Sequence, residues 1–333
     1  MARFAGAADP QSGPQAGPAT PRLSIGLPVY NGEAFLAAAI DSLLAQTYRD
    51  FELIITDNAS TDGTEAICRA RAARDPRVRY YRNASNVGAM HNFNRVVELA
   101  RGEYFKWAAH DDLHEPAFLE RCVEALERRP DVVLACTRLA DIDEKDARKA
   151  VAATGLAWDS PHPNARFRAL ANPRHRCESI FGVIRASVLR RTFLISDYAG
   201  CDRVLLAQLA LAGKFYEVPE VLFLHREHRG RSTRAYKDSQ TRTEWFNPAR
   251  AGKPIYPHVK MLCGYARAVR TADVPWIDKL ACFAMLVPWS LRNRRELWWD
   301  VAFALSCALR ARKRAAFTPP PEAVPESSKT RIT

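Results

Sequence analysis

Leu23-Ser-Ile-Gly-Leu-Pro-Val-Tyr-Asn31 and Phe51-Glu-Leu-Ile-Ile-Thr-Asp-Asn58 are two short apolar runs, each ending in a polar turn. The residues between them carry a different rhythm. Phe35/Leu36, Ala39/Ile40 and Leu43/Leu44 recur at three- and four-residue spacing, which predicts a helix over 32–46 with one apolar face. Strand, helix and strand in that order form the unit from which mainly parallel sheets are built.

The alternation continues outward. Pro28 is expected to stop the first strand at Leu27, and Phe51–Thr56 forms the second. Asp62 and Glu65 have the spacing of a capping box and mark a helix start. Val78–Tyr81 reads as a strand, Ala89–Ala100 as a helix and Tyr104–Ala108 as a fourth strand. After His110-Asp111-Asp112 a helix is expected to open at Pro116, a residue tolerated at the first helical position, and Val132–Cys136 is the next strand. Residues 144–176 lack steady periodicity and read as a mobile loop over a cleft or as an irregular connection. Order returns with a strand at Ile180–Ile184, a helix at 201–212 and strands around 215–224, and no internal repeat is visible. The fold class is α/β, a mainly parallel sheet flanked by helices.

With 333 residues and 47% hydrophobic content the chain buries a full core. Residues 1–21, rich in Ala, Gly and Pro, and 317–333, with little apolar content, are expected to be flexible tails. No cleavable leader pattern opens the sequence, so the expected location is the cytoplasm. The eight cysteines include no Cys-x-x-Cys pair and mostly sit in apolar runs, which fits buried thiols better than a disulfide framework or a zinc site. A net charge of +12 raises the question of an anionic partner, whether nucleic acid, a membrane surface or a phosphorylated substrate, and no helix-turn-helix, zinc-finger or RNP pattern directs it at nucleic acid. Much of the excess lies late, around Arg292, Arg294, Arg295, Arg310, Arg312, Lys313 and Arg314. There Leu280–Leu291 and Leu297–Leu309 are apolar but too short to span a bilayer. With Trp298 and Trp299 beside them, 280–314 reads either as peripheral membrane contact on the inner face of the cell membrane or as a helical pair packed on the main domain.

Four polar clusters follow the first four strands: Pro28-Val29-Tyr30-Asn31, Thr56-Asp57-Asn58 through Gly63, Asn86-Val87-Gly88 with Asn94 beyond, and His110-Asp111-Asp112. Open α/β sheets bind ligands at the carboxyl ends of their strands. Any one cluster alone could be an ordinary turn or a helix cap. Adjacent carboxylates at a strand end repel unless a cation or hydrogen bonds compensate them, and hard oxygen ligands suit Mg²⁺ or Mn²⁺ held together with substrate phosphates.

In the order of these clusters, residues 23–136 resemble the family 2 inverting glycosyltransferases of GT-A fold, a Rossmann-like nucleotide-diphospho-sugar transferase architecture. Residues 178–230 resemble its acceptor half, through Gly200-Cys201-Asp202-Arg203, Pro219-Glu220-Val221-Leu222 and His225-Arg226-Glu227-His228. The resemblance implies a GT-A domain over 22–238, divided into a nucleotide-sugar half (22–136) and an acceptor half (137–238), then a helical extension over 239–316. It implies transfer of a sugar from a nucleotide-sugar donor to a glycan or lipid-linked hydroxyl acceptor in cell-surface polysaccharide synthesis, with acceptor choice resting on 137–200 and the C-terminal helices. Pro28, Tyr30, Asn31, Asp57, Asn58, Asn86, Gly88, Asn94 and Asp111 would bind the donor. Asp112, with Asp111 and His228, would hold the metal, although His110 stands where a strict Asp-x-Asp would begin. Arg226, Arg229 or Arg231 would meet the diphosphate. Asp202 would be the general base, or else only cap its helix.

A phosphate-binding Gly-x-x-x-x-Gly-Lys-Ser/Thr loop, a Gly-x-Gly-x-x-Gly after the first strand and a Gly-x-Ser-x-Gly elbow are all missing. The alternatives are a nucleotidyltransferase, against which Pro28–Gly32 offers no basic residue, and an inactive membrane-peripheral scaffold, against which the retained acids speak.

Overall fold

β1 (Leu23–Val29) and β2 (Phe51–Asp57) are buried along their whole length, as central parallel strands covered on both faces must be. Between them α1 (Glu33–Leu44) lays Leu36, Ala39, Ile40 and Leu43 on the sheet. The computed structural model describes residues 20–152, 158–171, 175–236 and 239–316. The two tails, apart from residues 20 and 21, lie outside the described residues.

The chain continues through α2 (Thr64–Arg74), β3 (Val78–Arg82), α3 (Ala89–Leu99), β4 (Tyr104–Trp107), β5 (Leu113–His114), α4 (Phe118–Arg128) and β6 (Val132–Ile142). Then come β7 (Arg148–Ala152), α5 (Pro163–Ala171), β8 (Val183–Arg185), α6 (Ala186–Leu189), α7 (Cys201–Ala212) and β9 (Lys214–Arg226). The C-terminal part is helical: α8 (Ser232–Ala235), α9 (Ser239–Phe246), α10 (Pro257–Thr271), α11 (Trp276–Arg292) and α12 (Arg294–Ala316).

The sheet runs β3-β2-β1-β4-β8-β6-β9-β5, with β7 paired to β6. β1 to β4 are mutually parallel, β6 and β9 are parallel, and β8 lies antiparallel between β4 and β6. The carboxyl ends of β1, β2, β3, β4, β6 and β9 therefore share one edge. One face of the sheet packs on α1 and α4, the other on α3, α5 and α7. Met261, Tyr265, Cys282, Leu286 and Trp289, from α10 and α11, join the cluster on the second face. The expected α/β architecture with C-terminal helices is what the chain adopts. Among the described residues no helix is long and apolar enough to cross a membrane.

Several local expectations are corrected. β1 runs on through Pro28 to Val29. The Asp62/Glu65 capping box does not form: Glu65 pairs with Arg69 and Arg82. Instead Asp62 accepts from Thr64 N (3.1 Å) and Glu33 N (3.0 Å), while Glu33 accepts from Gly63 N (2.9 Å), so two helix starts cap each other. Pro116 sits in the turn before α4, its carbonyl accepting from Thr47 N at 2.8 Å. Residues 178–181 form a 3-10 turn ahead of β8, and 214–226 is one continuous strand. Within 144–176, β7 makes a hairpin with β6, and α5 buries Phe167 and Leu170 on α7, so these parts are built structure rather than a loop. Residues 153–157 and 172–174 lie outside the described residues. Cys68, Cys122, Cys136, Cys201 and Cys282 are buried free thiols, whereas Cys263 is exposed.

Candidate active site

The turns after β1 and β2 interlock. Asn31, at φ 50°, accepts from Thr61 N (2.9 Å) and donates its own N–H to Ser60 Oγ (2.9 Å). Asparagine tolerates this left-handed backbone better than most residues. Pro28 and Val29 end β1 beneath the turn, and Tyr30, the next residue, is 39% exposed. Asp57 closes β2 fully buried, accepting from Ser60 N (2.8 Å), Tyr80 Oη (2.8 Å) and Arg82 (2.6 Å). Burial pushes this carboxyl up, but the hydrogen bonds from Ser60, Tyr80 and Arg82 outweigh it and hold the group below the ordinary range. The backbone and side chain of Ser60, with Tyr80 and Arg82, occupy the carboxylate, which has no exposed surface.

Asn58 donates to Asn86 Oδ1 (2.8 Å) and accepts from Asn83 (3.0 Å) and Val87 N (3.0 Å), tying the β2 and β3 ends together. Gly88 has φ 86°, and a Cβ there would lie 2.5 Å from Pro248 and 2.6 Å from the Phe246 carbonyl. The close approach that this glycine permits is thus made by the chain's own 246–248 segment rather than by open space for a donor. Asn94 stands apart from the other clusters, its amide committed to both backbone groups of Ile195 (2.9 and 3.1 Å).

The acidic turn after β4 is clamped by the end of β9. Asp111 Oδ2 lies 2.8 Å from His228 Nε2, and Asp112 Oδ1 accepts from Arg226 N at 2.9 Å. The Arg226 side chain is buried, donating to Asp111 O (2.8 Å) and Asp143 O (2.8 Å), pairing with Asp146 (2.6 Å) and lying over the Phe35 ring. This corrects the expectation that Arg226 meets a diphosphate, because its guanidinium is already spent inside the fold. Arg231 pairs with Glu227, and Arg229 is exposed. Burial raises both carboxyls, but His110 and His228 pull Asp111 down to about 2. Asp112 goes the other way: burial and the Asp111 charge lift it well above the ordinary range despite Arg226 N, Arg231 and Lys106. Asp112 is therefore a buried acid short of positive charge.

Sequence reasoning missed a second network where β6 and β9 end. Arg176 grips Asp141 with both arms (2.8 and 2.9 Å) and reaches Glu178 (3.2 Å), while His225 Nδ1 lies 2.9 Å from Asp141. The ligand atoms of Asp141, His225 and Glu227 lie within 4.8 Å of one another, close enough to share an ion, and no such grouping of Asp111, Asp112 and His228 occurs among the described residues. Arginines already neutralise the first set: Arg176 sits on Asp141, and Arg231 and Arg234 on Glu227. Only the His225-Arg-Glu-His228 run signalled it in sequence, since Asp141 and Arg176 carry no local mark.

Asp202 lies in the first turn of α7, after Gly200 in the N-cap position at φ 87°. It is not the capping residue, and its carboxylate accepts from Arg203 N at 3.0 Å and from the Cys177 thiol. Burial and this carboxylate keep the neighbouring Cys177 thiol protonated. Cys177 is flanked by Arg176 and Glu178, so Asp202 borders the β6/β9 network.

A family model described as Glycosyl transferase family 2 matches residues 24–194. An uncharacterised glycosyltransferase of Haemophilus influenzae is 27% identical over 231 residues, 67% of this chain and 71% of that protein. An uncharacterised glycosyltransferase of Rickettsia typhi is 37% identical over 119 residues, 35% of this chain, and the match spans 36% of the relative's length. Among solved structures, residues 1–349 of S. aureus TarS in complex with UDP align at a TM-score of 0.60 and 13% identity, covering 84% of this chain and 74% of that one. The same TarS portion with UDP-GlcNAc aligns at 0.62 and 14%, covering 86% and 81%. At such identity the likeness is one of fold.

Proposed function

The chain belongs to glycosyl transferase family 2, and from that premise we propose that it moves a sugar from a nucleoside-diphosphate donor to a hydroxyl acceptor with inversion at the anomeric carbon. The observation that carries this reading is the pair Asp111-Asp112 on the same sheet edge as Asp57, with Asp112 buried and short of positive charge. Tyr30 offers its exposed ring to the nucleobase, and Pro28, Asn31, Asp57, Asn58 and Asn86 shape the pocket around it. Residues 22–136 form the donor half in this reading and 137–238 the acceptor half.

The carboxylate oxygens of Asp112 and Asp111 are hard donors of the kind Mg²⁺ or Mn²⁺ takes, and these two residues would hold the ion, with His228 hydrogen-bonded to Asp111. A bound ion would neutralise charge growing on the leaving diphosphate. Asp202 takes the proton of the acceptor hydroxyl while that oxygen forms its bond to the anomeric carbon. The bond from that carbon to the diphosphate oxygen breaks, and the diphosphate leaves with the electron pair. The acceptor is a glycan or lipid-linked sugar.

The test is thermal stability with UDP, GDP, TDP and their sugar conjugates, with and without Mn²⁺, for wild type and Asp112→Ala. A nucleotide-specific, metal-dependent gain that the variant loses supports the reading, because a ligand of the native state raises its apparent stability. No shift with any nucleotide overturns it.

A further inference from the structure

Surface helices normally turn charge outward and apolar residues inward. α11 does not. Its buried side holds Asp278, Cys282, Leu286 and Trp289, while its exposed positions are Trp276, Ile277, Leu280, Phe283, Ala284, Val287, Pro288 and Leu291, all uncharged, with the first exposed charge at its last residue, Arg292. Trp276 is 72% exposed, Val287 61% and Leu291 60%. An open depression of about 340 Å³ between Leu286, Val287, Ser290 and Leu291 lies along the same helix. The apolar surface continues onto α12, where Trp298 and Trp299 are 63% and 66% exposed and Phe303 and Leu305 are also open. A soluble monomer seldom keeps so extended an apolar patch without a use for it.

Both helices are nevertheless held in place. Asp300, the one acid inside the apolar stretch of α12, turns inward and accepts from His258 N (2.7 Å) and Val259 N (3.0 Å) at the start of α10. Asp278 likewise turns inward, to Asn164 of α5 at 2.7 Å. Both acids thus turn away from the outer surface, where Glu296 is the exposed acid beside Arg294 and Arg295.

We propose that the outer face of α11 and α12 docks on a bilayer carrying anionic lipid, with the helices lying in the plane of the interface. Charge selects this occupant. Arg292, Arg294 and Arg295 are exposed where the two apolar stretches meet, α12 ends in Arg310, Arg312, Lys313 and Arg314, and the whole chain carries +12. Tryptophan beside arginine on an apolar face is the chemistry of interfacial helices, and neither helix can span a membrane. Residues 317–333 have too few apolar groups to cover the face.

The experiment is sedimentation of the full chain with phosphatidylcholine vesicles, with or without phosphatidylglycerol, at low and high salt, alongside its oligomeric state in solution. Expected is binding to the anionic vesicles that weakens with salt. Each basic residue near such a surface contributes about fivefold, so Arg292→Glu/Arg294→Glu/Arg295→Glu lowers partitioning roughly 100-fold. Trp276→Ser/Trp298→Ser/Trp299→Ser lowers it roughly tenfold or more without lowering Tm, since all three side chains are largely exposed. Failure to bind anionic vesicles at low salt overturns the proposal, as does equal binding to neutral vesicles. So does a dimer that buries this face and ignores lipid, which would make a second copy the occupant. None of these outcomes depends on sugar transfer.

Discussion

His228 Nε2 lies 2.8 Å from Asp111 Oδ2, although 117 residues separate the two. The end of β9 is thereby folded onto the acidic turn after β4, and the same short segment supplies the one backbone N–H that Asp112 receives. Asp112 is left poor in positive charge by design of the backbone, which gives the first prediction.

Asp112→Asn should abolish metal-dependent nucleotide binding and lower turnover roughly 100-fold or more. The ligand-free protein should melt no lower than wild type, because a buried carboxylate beside Asp111 is a cost when no cation is bound. Calorimetry of the two proteins with and without Mn²⁺ checks both parts, and a large drop in the ligand-free Tm would contradict the account.

Arg226→Met should destabilise the fold by about 3–5 kcal/mol, since it strips a buried guanidinium from Asp111 O, Asp143 O and Asp146. A residue that merely touched a diphosphate would instead raise KM and leave Tm unchanged. Urea denaturation separates the two.

The four clusters between Pro28 and Asp112 were legible because each follows a short strand, and the parallel pairing of β1 to β4 brings the carboxyl ends of those strands to one edge. The β6/β9 network was not. Asp141 lies near the end of an 11-residue strand and Arg176 outside any element, and only the insertion of antiparallel β8 between β4 and β6 frames their meeting. α5 was hidden for a related reason: its core contacts are with α7, and among its buried side chains is Arg166, which donates to the Ala210 carbonyl at 2.7 Å and spoils the apolar period. Asp300 stands inside the apolar stretch of α12 because it caps another helix, a contact that no local pattern announces.

Asp300→Ala should therefore cost about 0.5–2 kcal/mol, the range for a lost N-terminal cap, and Asp300→Asn should recover most of it. Turnover on a water-soluble acceptor should stay near wild type. Equal Tm for Asp300→Ala and wild type would remove the cap from the account.

Lys106 predicts a pH dependence. It is fully buried in β4 among Phe118 and Phe223, bonded to the Phe181 carbonyl, and burial lowers its pKa from 10.5 to about 7. Between those values the unfolded chain binds the extra proton. The penalty for Lys106 is thus full below about pH 7 and fades as pH rises towards 10.5, at no more than about 1.4 kcal/mol per pH unit. The stability gap between Lys106→Met and wild type should shrink accordingly from neutral to alkaline pH. A gap independent of pH would rule the buried charge out.

Asp202→Asn separates base from cap. The side chain accepts a hydrogen bond from Arg203 N, and the helix start is set by Gly200 one residue before Cys201. An amide oxygen can accept that same bond, so the variant should keep its Tm and its nucleotide-induced stabilisation. It cannot take a proton from an acceptor hydroxyl, so kcat should fall roughly 100- to 10,000-fold. If kcat holds while nucleotide binding is intact, the proton is taken elsewhere, and Glu178 in the adjoining network becomes the residue to change next.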